Sequence, residues 1–272
     1  IKAKKLRTLP KAIIPVHFAG KPVDMKSLYD LKRKYKFSII EDSSHALGAR
    51  YKKGKVGNCK YSDITVFSFH PVKIITTGEG GCITTNNKNF YEKLNLLINN
   101  GITKNRKFYK SKKNYQDWYY EQHIVGGNYR MSDIQSALGL SQLKHINKFL
   151  KWRREIAKIY FNFFKKYPSI ISKIQIDFGS SFHLFPILFN NNKKIRDKFY
   201  SYLKNRGINT KVMYIPLYKH PLYKNKMKKK LINSEFYYNN IICLPMHYAL
   251  TKNNLNYIIK IMRKFLNIYE KK

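Results

Sequence analysis

Carboxylates are scarce in this 272-residue chain, with 15 Asp and Glu against 54 Lys and Arg. The few that exist are therefore informative: Glu41, Asp42, Glu79 and Asp133 all sit in Gly-, Ser- or His-rich segments, where a lysine-rich surface does not need them. Cysteine is scarcer still. Three cysteines (59, 82 and 243) with no C-x-x-C spacing give neither a disulfide framework nor a thiolate metal site, so a reducing, cytoplasmic setting is expected and no metal is called for. No run of about 18 uncharged apolar residues occurs, which excludes a spanning helix and membrane insertion by that route. Disorder is excluded by the opposite quantity, since 22 Tyr and 17 Phe supply ample surface to bury.

The formal charge of +39 raises the question of nucleic acid. No Cys/His finger spacing, Gly-rich RNA loop or basic-aromatic RNA motif accompanies it. Lys outnumbers Arg by 44 to 10, and Asn, Ile and Tyr are also abundant, the mixture that a general composition bias generates. The densest patch is Lys224, Lys226, Lys228, Lys229 and Lys230. The charge reads as solvated surface, and no specific nucleic-acid partner is expected.

The first residue is Ile1 and no signal segment follows it, which leads to the expectation that the chain is a fragment of something longer. Short apolar strands are expected at 12–17, 37–41, 63–69 and 81–85, with helices near 25–35 (capped by Asp24) and 89–99. Residues 103–124 are polar and aromatic with little periodicity, as in a long functional loop or lid. From Ser132 a helix should present Ile134, Ala137, Leu138, Leu140, Leu143 and Ile146 along one side. A helix at 149–166, strands at 182–189 and 211–215, a helix at 192–205, a basic linker and a terminal helix at 252–269 complete a smaller domain. Alternating strands and helices give an α/β layer fold with a mixed or mostly parallel sheet, a large domain over 1–150 and a small one over 151–272.

Three segments carry the chemistry. EDSSHALGA (41–49) places two carboxylates and a His at a strand end, where open α/β sheets bind ligands. FSFHPVK (67–73) leaves another strand and presents Ser68, His70 and Lys73. TTGEGG (76–81) adds hydroxyls, backbone amides and tight-turn freedom. A lysine amine, a carboxylate and an anion-binding hydroxyl are what a pyridoxal phosphate site needs. Taken singly, Asp42 could be a turn former, Ser68 a core hydroxyl and Lys73 one more surface lysine.

The combination is more specific. PVHFAGKPVDM (15–25), IIEDSSHALGARYKKGKVGNCKYSD (39–63), FSFHPVKIITTGEGGCITT (67–85) and GGNYRMSDIQSALGLSQL (126–143) closely resemble the DegT/DnrJ/EryC1 nucleotide-sugar aminotransferases. WYYEQ (118–122), SSFHLFPI (180–187) and LPMH (244–247) extend the likeness over nearly the whole chain. The resemblance implies the three-layer fold type I architecture of pyridoxal-5′-phosphate enzymes, with a large domain incomplete at its N-terminus. It implies transfer of an amino group from L-glutamate to the C4 keto group of a UDP-4-keto-6-deoxy-N-acetylhexosamine, as in pseudaminic-acid-type glycan synthesis. Another 4-keto nucleotide sugar, of perosamine or aminoarabinose type, and an inactive truncated homologue remain alternatives.

By the same resemblance Lys73 is the Schiff-base lysine and Asp42 the partner of the pyridine nitrogen. His45 lies near the ring oxygen of the cofactor and Ser68 binds its phosphate. Asn128 reaches the phosphate of a neighbouring subunit's cofactor, which implies a homodimer with shared sites. Arg130 is a candidate for an anionic group or for the interface, and His183 and Tyr214 resemble positions near the sugar. Two departures stand out. Family members carry a further region before the PVHFAG segment, with a phosphate turn and a ring-stacking aromatic, and Ser43 and Ser44 replace the small Ala residues common there.

Overall fold

The computed structural model describes residues 8–111, 116–172, 174–224 and 231–270; Lys226, Lys228, Lys229 and Lys230 of the basic patch lie outside them. The chain divides into two compact units. One comprises the described residues up to His17, Pro22–Leu47 and Tyr51–Lys144, and the other Phe18–Lys21, Gly48–Arg50 and those from His145 onward.

The first unit is built on a four-stranded sheet of β1 (Ala12–Ile13), β2 (Ser38–Asp42), β3 (Ile64–Ser68) and β4 (Gly81–Thr84), in that spatial order. The β1–β2 and β2–β3 pairs are parallel and β3–β4 is antiparallel, so the sheet is mixed. The strand expected over 12–17 is shorter than its apolar pattern. Pro15 has no N–H to give a ladder, and beyond β1 only Val16 regains a bridge, to Asp42. Helix α1 (Met25–Tyr35) starts where the Asp24 carboxylate accepts from the Ser27 amide and, at 2.6 Å, its hydroxyl. Those bonds and one from Tyr51 hold the Asp24 carboxyl down at about 2. The helix ends at Lys36, in the left-handed region, with Lys32, Arg33 and Lys34 beside its C-terminal carbonyls. Met25 packs with Phe37 and Ile39 beneath it.

Helix α2 (Lys88–Ile98) is capped by Asn87, whose side chain accepts from the Phe90 amide at 3.1 Å. The expected loop at 103–124 is laced where described. Residues Ile102–Thr103 and Glu121–Gln122 form a short antiparallel ladder, and the Glu121 carboxylate accepts from the amides of Lys110 and Ser111 and pairs with His123. Helix α3 (Asp133–Lys144) opens on a reciprocal cap: Ser132 Oγ accepts from the Gln135 amide while Gln135 Oε1 accepts from the Ser132 amide. Its apolar residues do not form a core stripe. Ile134 is 84% and Leu140 65% exposed, and Gly139 is the buried position of the helix.

The second unit carries the larger core. Helices α4 (Ile146–Phe164), α5 (Lys193–Lys204) and α7 (Lys252–Glu270) supply Tyr160, Phe199, Leu255 and Met262 to a cluster that includes Phe189, Ile187 and Ile242. Two antiparallel strands run through it, β5 (Phe185–Leu188) and β6 (Ile241–Leu244). The region read as a basic linker contains β6 and helix α6 (Ile232–Asn240). All four β6 residues are buried, so no alternation marked it. The strand expected at 211–215 reduces to one bridge, Lys211 with Cys243. Pro216 follows directly and cannot donate to a ladder. Among the described residues no helix is long and apolar enough to cross a membrane.

Candidate active site

The period-2 geometry of two adjacent parallel strands assembles the site. Along β2 the buried positions are Ile39 and Glu41, and along β3 Thr65 and Phe67. The register pairs Glu41 with Thr65 and Asp42 with Val66. Asp42, Val66 and Ser68 therefore share the other, half-buried face, with Asp42 and Ser68 at the C-terminal strand ends. Glu41 turns the opposite way, onto His17. Both hydrogen bonds that Ser44 makes to Asp42, 3.0 Å from its amide and 2.6 Å from its hydroxyl, fall on Oδ1 and leave Oδ2 unengaged by them.

Lys73 sits midway along the β3–β4 connection, four residues after Phe69 and four before Thr77. Phe69 forms the neck of this loop. Its carbonyl accepts from the Thr77 amide (3.0 Å) and the Thr76 hydroxyl (3.1 Å), and its amide donates to the Gly80 carbonyl (2.8 Å). Gly80 has φ 152°, and a Cβ there would lie 2.4 Å from Thr77 Oγ1, so only glycine fits the turn. Inside the loop the Lys73 amide donates to the His70 carbonyl at 2.9 Å, and Ser68 Oγ accepts from the His70 amide at 3.4 Å.

Lys73, Asp42 and His45 lie within electrostatic reach of one another. Burial lowers the Lys73 amine below the ordinary lysine value, and the Asp42 charge opposes that shift. His45 is buried and lowered to about 4, first by desolvation and then by the Lys73 charge, against Asp42. Its imidazole is therefore neutral near pH 7, beside a lysine that reaches its free-amine form more readily than a surface lysine.

The other sequence candidates lie elsewhere. Asn128 is exposed and bridges to Asn99. The Arg130 guanidinium donates to Asn99 Oδ1 and lines a cavity of about 570 Å³ with Tyr91, Leu96, Phe108 and His123, a lining that includes none of Lys73, Asp42, His45 or Ser68. In the second unit His183 is buried, its carbonyl 3.3 Å from Arg153 Nη1, whereas Tyr214 is exposed and edge-on to Phe18 at 6.4 Å. Sequence reasoning did not single out His17, which occupies Glu41, nor Gln135, whose Nε2 donates to the Glu79 carbonyl at 2.9 Å. The reciprocal Ser132–Gln135 cap was the available signal for Gln135.

An α/β unit that brings a loop lysine of lowered pKa within reach of a strand-end carboxylate defines a class, and comparison with known proteins identifies it. The sequence profile of the DegT/DnrJ/EryC1/StrS aminotransferase family matches residues 2–263, and the chain belongs to that family. It is 38% identical over 250 residues to a Campylobacter jejuni UDP-4-amino-4,6-dideoxy-N-acetyl-beta-L-altrosamine transaminase, covering 91% of this chain and 63% of the relative. The solved structure of Helicobacter pylori PseC, an aminotransferase of pseudoaminic acid biosynthesis, superposes with a TM-score of 0.84 at 35% identity, over 94% of this chain and 67% of that one. The PMP-form of the Streptococcus pneumoniae putative sugar aminotransferase Spr1654 gives 0.82 at 29% identity, over 94% and 69%. The three-layer α/β architecture of fold type I aminotransferases is thus the fold of this chain, which spans about two thirds of the length of these relatives.

Proposed function

We propose that this chain belongs to a pyridoxal-5′-phosphate-dependent aminotransferase that moves an amino group from L-glutamate to C4 of a UDP-4-keto-6-deoxy-N-acetylhexosamine. The observation that carries this reading is that Lys73 and His45 lie within electrostatic reach of Asp42, which shares a half-buried sheet face with Ser68. The donor set suits the cofactor, offering a half-buried amine of lowered pKa, a carboxylate with one oxygen fixed, and a strand-end hydroxyl. When bound, pyridoxal 5′-phosphate supplies a carbonyl carbon for amino-group exchange and a protonated ring that withdraws electron density.

Each side chain then has a defined task. Lys73 Nζ would hold that carbon and would be the base that takes up and returns the proton. Asp42, fixed through Oδ1 by Ser44, would hold the ring N–H with a charge-assisted hydrogen bond. Neutral His45 can serve the ring oxygen without placing a second positive charge beside Lys73. Ser68, with Asn128 from a second copy, would hold the phosphate. Shared sites require a homodimer, and the surroundings of Asn128 support one: Val125 is 91%, Tyr129 77% and Ile134 84% exposed. Arg130, His183 and Tyr214 are assigned to the sugar nucleotide, and the large and small domains to 1–150 and 151–272.

The test is incubation with pyridoxal 5′-phosphate, L-glutamate and a panel of 4-keto nucleotide sugars, reading 2-oxoglutarate and the amino-sugar product. Turnover of the UDP-linked N-acetylhexosamine ahead of the others is expected. Preference for a GDP-linked or pentose substrate would overturn the substrate assignment, and absence of glutamate-dependent exchange would favour an inactive homologue.

A further inference from the structure

The loop that carries Lys73 is held from outside by α3. Glu79 contributes a carbonyl that receives two donors, Thr77 Oγ1 at 2.7 Å and Gln135 Nε2 at 2.9 Å. The first bond is internal to the turn, whereas the second ties the turn to a helix 56 residues further along the chain. The Gln135 amide cannot swing freely, because its Oε1 accepts from the Ser132 amide at 2.9 Å and the Ser132 hydroxyl at 3.2 Å. One helical turn on, Gly139 lies so close to the loop that a Cβ there would stand 3.0 Å from Thr77 Cγ2. Met131, just before the helix, packs where a Gly80 side chain would project.

This brace acts on a soft part of the chain. Gly78 and Gly80 both have positive φ, at 78° and 152°, and glycine backbones resist displacement weakly. Thr77 is at once the residue that Gly139 touches and the donor that closes the neck on Phe69. A shift of the turn is therefore passed to the neck, and Lys73 is four residues from either side of it.

We propose that Gln135 is a positioning residue for Lys73: by fixing the Glu79 carbonyl it keeps the β3–β4 loop closed and holds the lysine amine in its partly buried place. The proposal rests on reading Lys73 as the reacting amine, but its test uses neither cofactor nor sugar. Burial is what lowers the Lys73 amine, so a loosened loop returns that amine toward the ordinary lysine value.

The experiment is competitive acetylation of the apo 272-residue chain across pH, read by peptide mapping with the remaining lysines as internal controls. Gln135→Glu keeps an acceptor for Ser132 and loses the donor to Glu79, and Gln135→Met loses both. In each, the midpoint of the Lys73 labelling profile should shift upward while the fold, followed by circular dichroism, persists. A Gln135 bond that merely stabilises the fold would lower the unfolding midpoint and leave that profile in place, and a superimposable profile in the folded variants overturns the proposal. Gly139→Ala, which presses on Thr77 and leaves Gln135 intact, is the independent variant should the Gln135 changes not fold. It too must displace the Lys73 profile, and an unchanged one overturns the proposal. Failure of pyridoxal 5′-phosphate to label Lys73 would count against the aminotransferase reading alone.

Discussion

His17 and Glu41 form a hydrogen-bonded pair sealed inside the first unit, with Nε2 2.9 Å from Oε2 and His17 fully buried. Nδ1 of the same ring accepts from the Val23 amide at 3.1 Å, so Nε2 carries the proton and donates to the carboxylate. The pair decides which of two adjacent acids can serve chemistry. Glu41 is committed to the fold, and Asp42, on the opposite face of β2, is the acid available to a ligand.

The two acids should therefore respond oppositely to substitution. Asp42→Asn should remain folded and lose about 100-fold or more in amino transfer, as expected when a charge-assisted partner is removed from a preorganised site. Glu41→Ala should instead cost on the order of 2 kcal/mol of stability, because it leaves a buried imidazole N–H unpaired. Urea denaturation beside a transamination assay separates the outcomes. Near-parental turnover in Asp42→Asn would show that another acid holds the ring nitrogen.

Lys73 should be the residue that pyridoxal 5′-phosphate labels among the 44 lysines of the chain. Its amine is lowered by burial, so near neutral pH it is deprotonated more often than an unburied lysine amine and is the better nucleophile. Borohydride reduction and peptide mapping should find the pyridoxyl group there, and Lys73→Ala should abolish both half-reactions. A dominant label elsewhere refutes the assignment.

How far these features could be read in advance depended on how local they are. The strands at 38–42 and 64–68 were legible as short apolar runs over 37–41 and 63–69, and in the structure their one-sided burial sets Asp42 apart from Glu41. The cap of Asp24 was legible because it acts within three residues. The fate of Ile134 and Leu140 was not, since an apolar pattern on a helix does not say what covers it. Nor could β6 be read, because a strand buried on both faces has no period to detect. The contact from Gln135 to Glu79 joins positions that only the tertiary fold brings together.

His45 makes stability depend on pH. Its folded value of about 4 lies below the ordinary 6.5, so the unfolded chain takes up this proton first as pH falls. The contribution is complete above pH 6.5 and is lost progressively down to about 4. The chain should thus lose unfolding free energy across that window, and His45→Gln should flatten that part of the profile. Identical slopes in parent and variant would mean that His45 is not buried as a neutral ring.

Ser43 tests the opposite kind of burial. It is fully buried, and its Oγ has no hydrogen-bond partner among the described residues, although its amide donates to the Val66 carbonyl at 2.9 Å. A desolvated hydroxyl without a partner costs free energy, so Ser43→Ala should raise stability by about 1 kcal/mol and leave the neighbouring strand bond intact. A loss of stability on removing the hydroxyl would show that it is satisfied in solution.

Arg153 concentrates the polar interactions of the second unit. The residue is 4% exposed, its guanidinium is lowered to about 10 by desolvation, and Nη1 lies 3.1, 3.3 and 3.0 Å from the carbonyls of Phe182, His183 and Met246. Seven residues along the same face of α4, the Tyr160 hydroxyl donates to the Pro245 carbonyl at 3.0 Å. These carbonyls belong to the segments that enter β5 and leave β6, which lie side by side where Phe185 pairs with Leu244, so the two side chains tie together the two chain segments at one end of the strand pair. Removing Tyr160's hydroxyl breaks one bond, and Tyr160→Phe should cost about 1 kcal/mol. Arg153→Met leaves three buried carbonyls with a lost donor. Even after relief of the buried cation, it should cost roughly 3 kcal/mol. Arg153→Lys should recover only part, because an ammonium lacks the planar fork. The check is urea unfolding of the three variants and of the Tyr160→Phe/Arg153→Met double variant. Strict additivity in the double variant would show that the two donors hold their segments independently, whereas a coupling above about 0.5 kcal/mol marks one shared clasp.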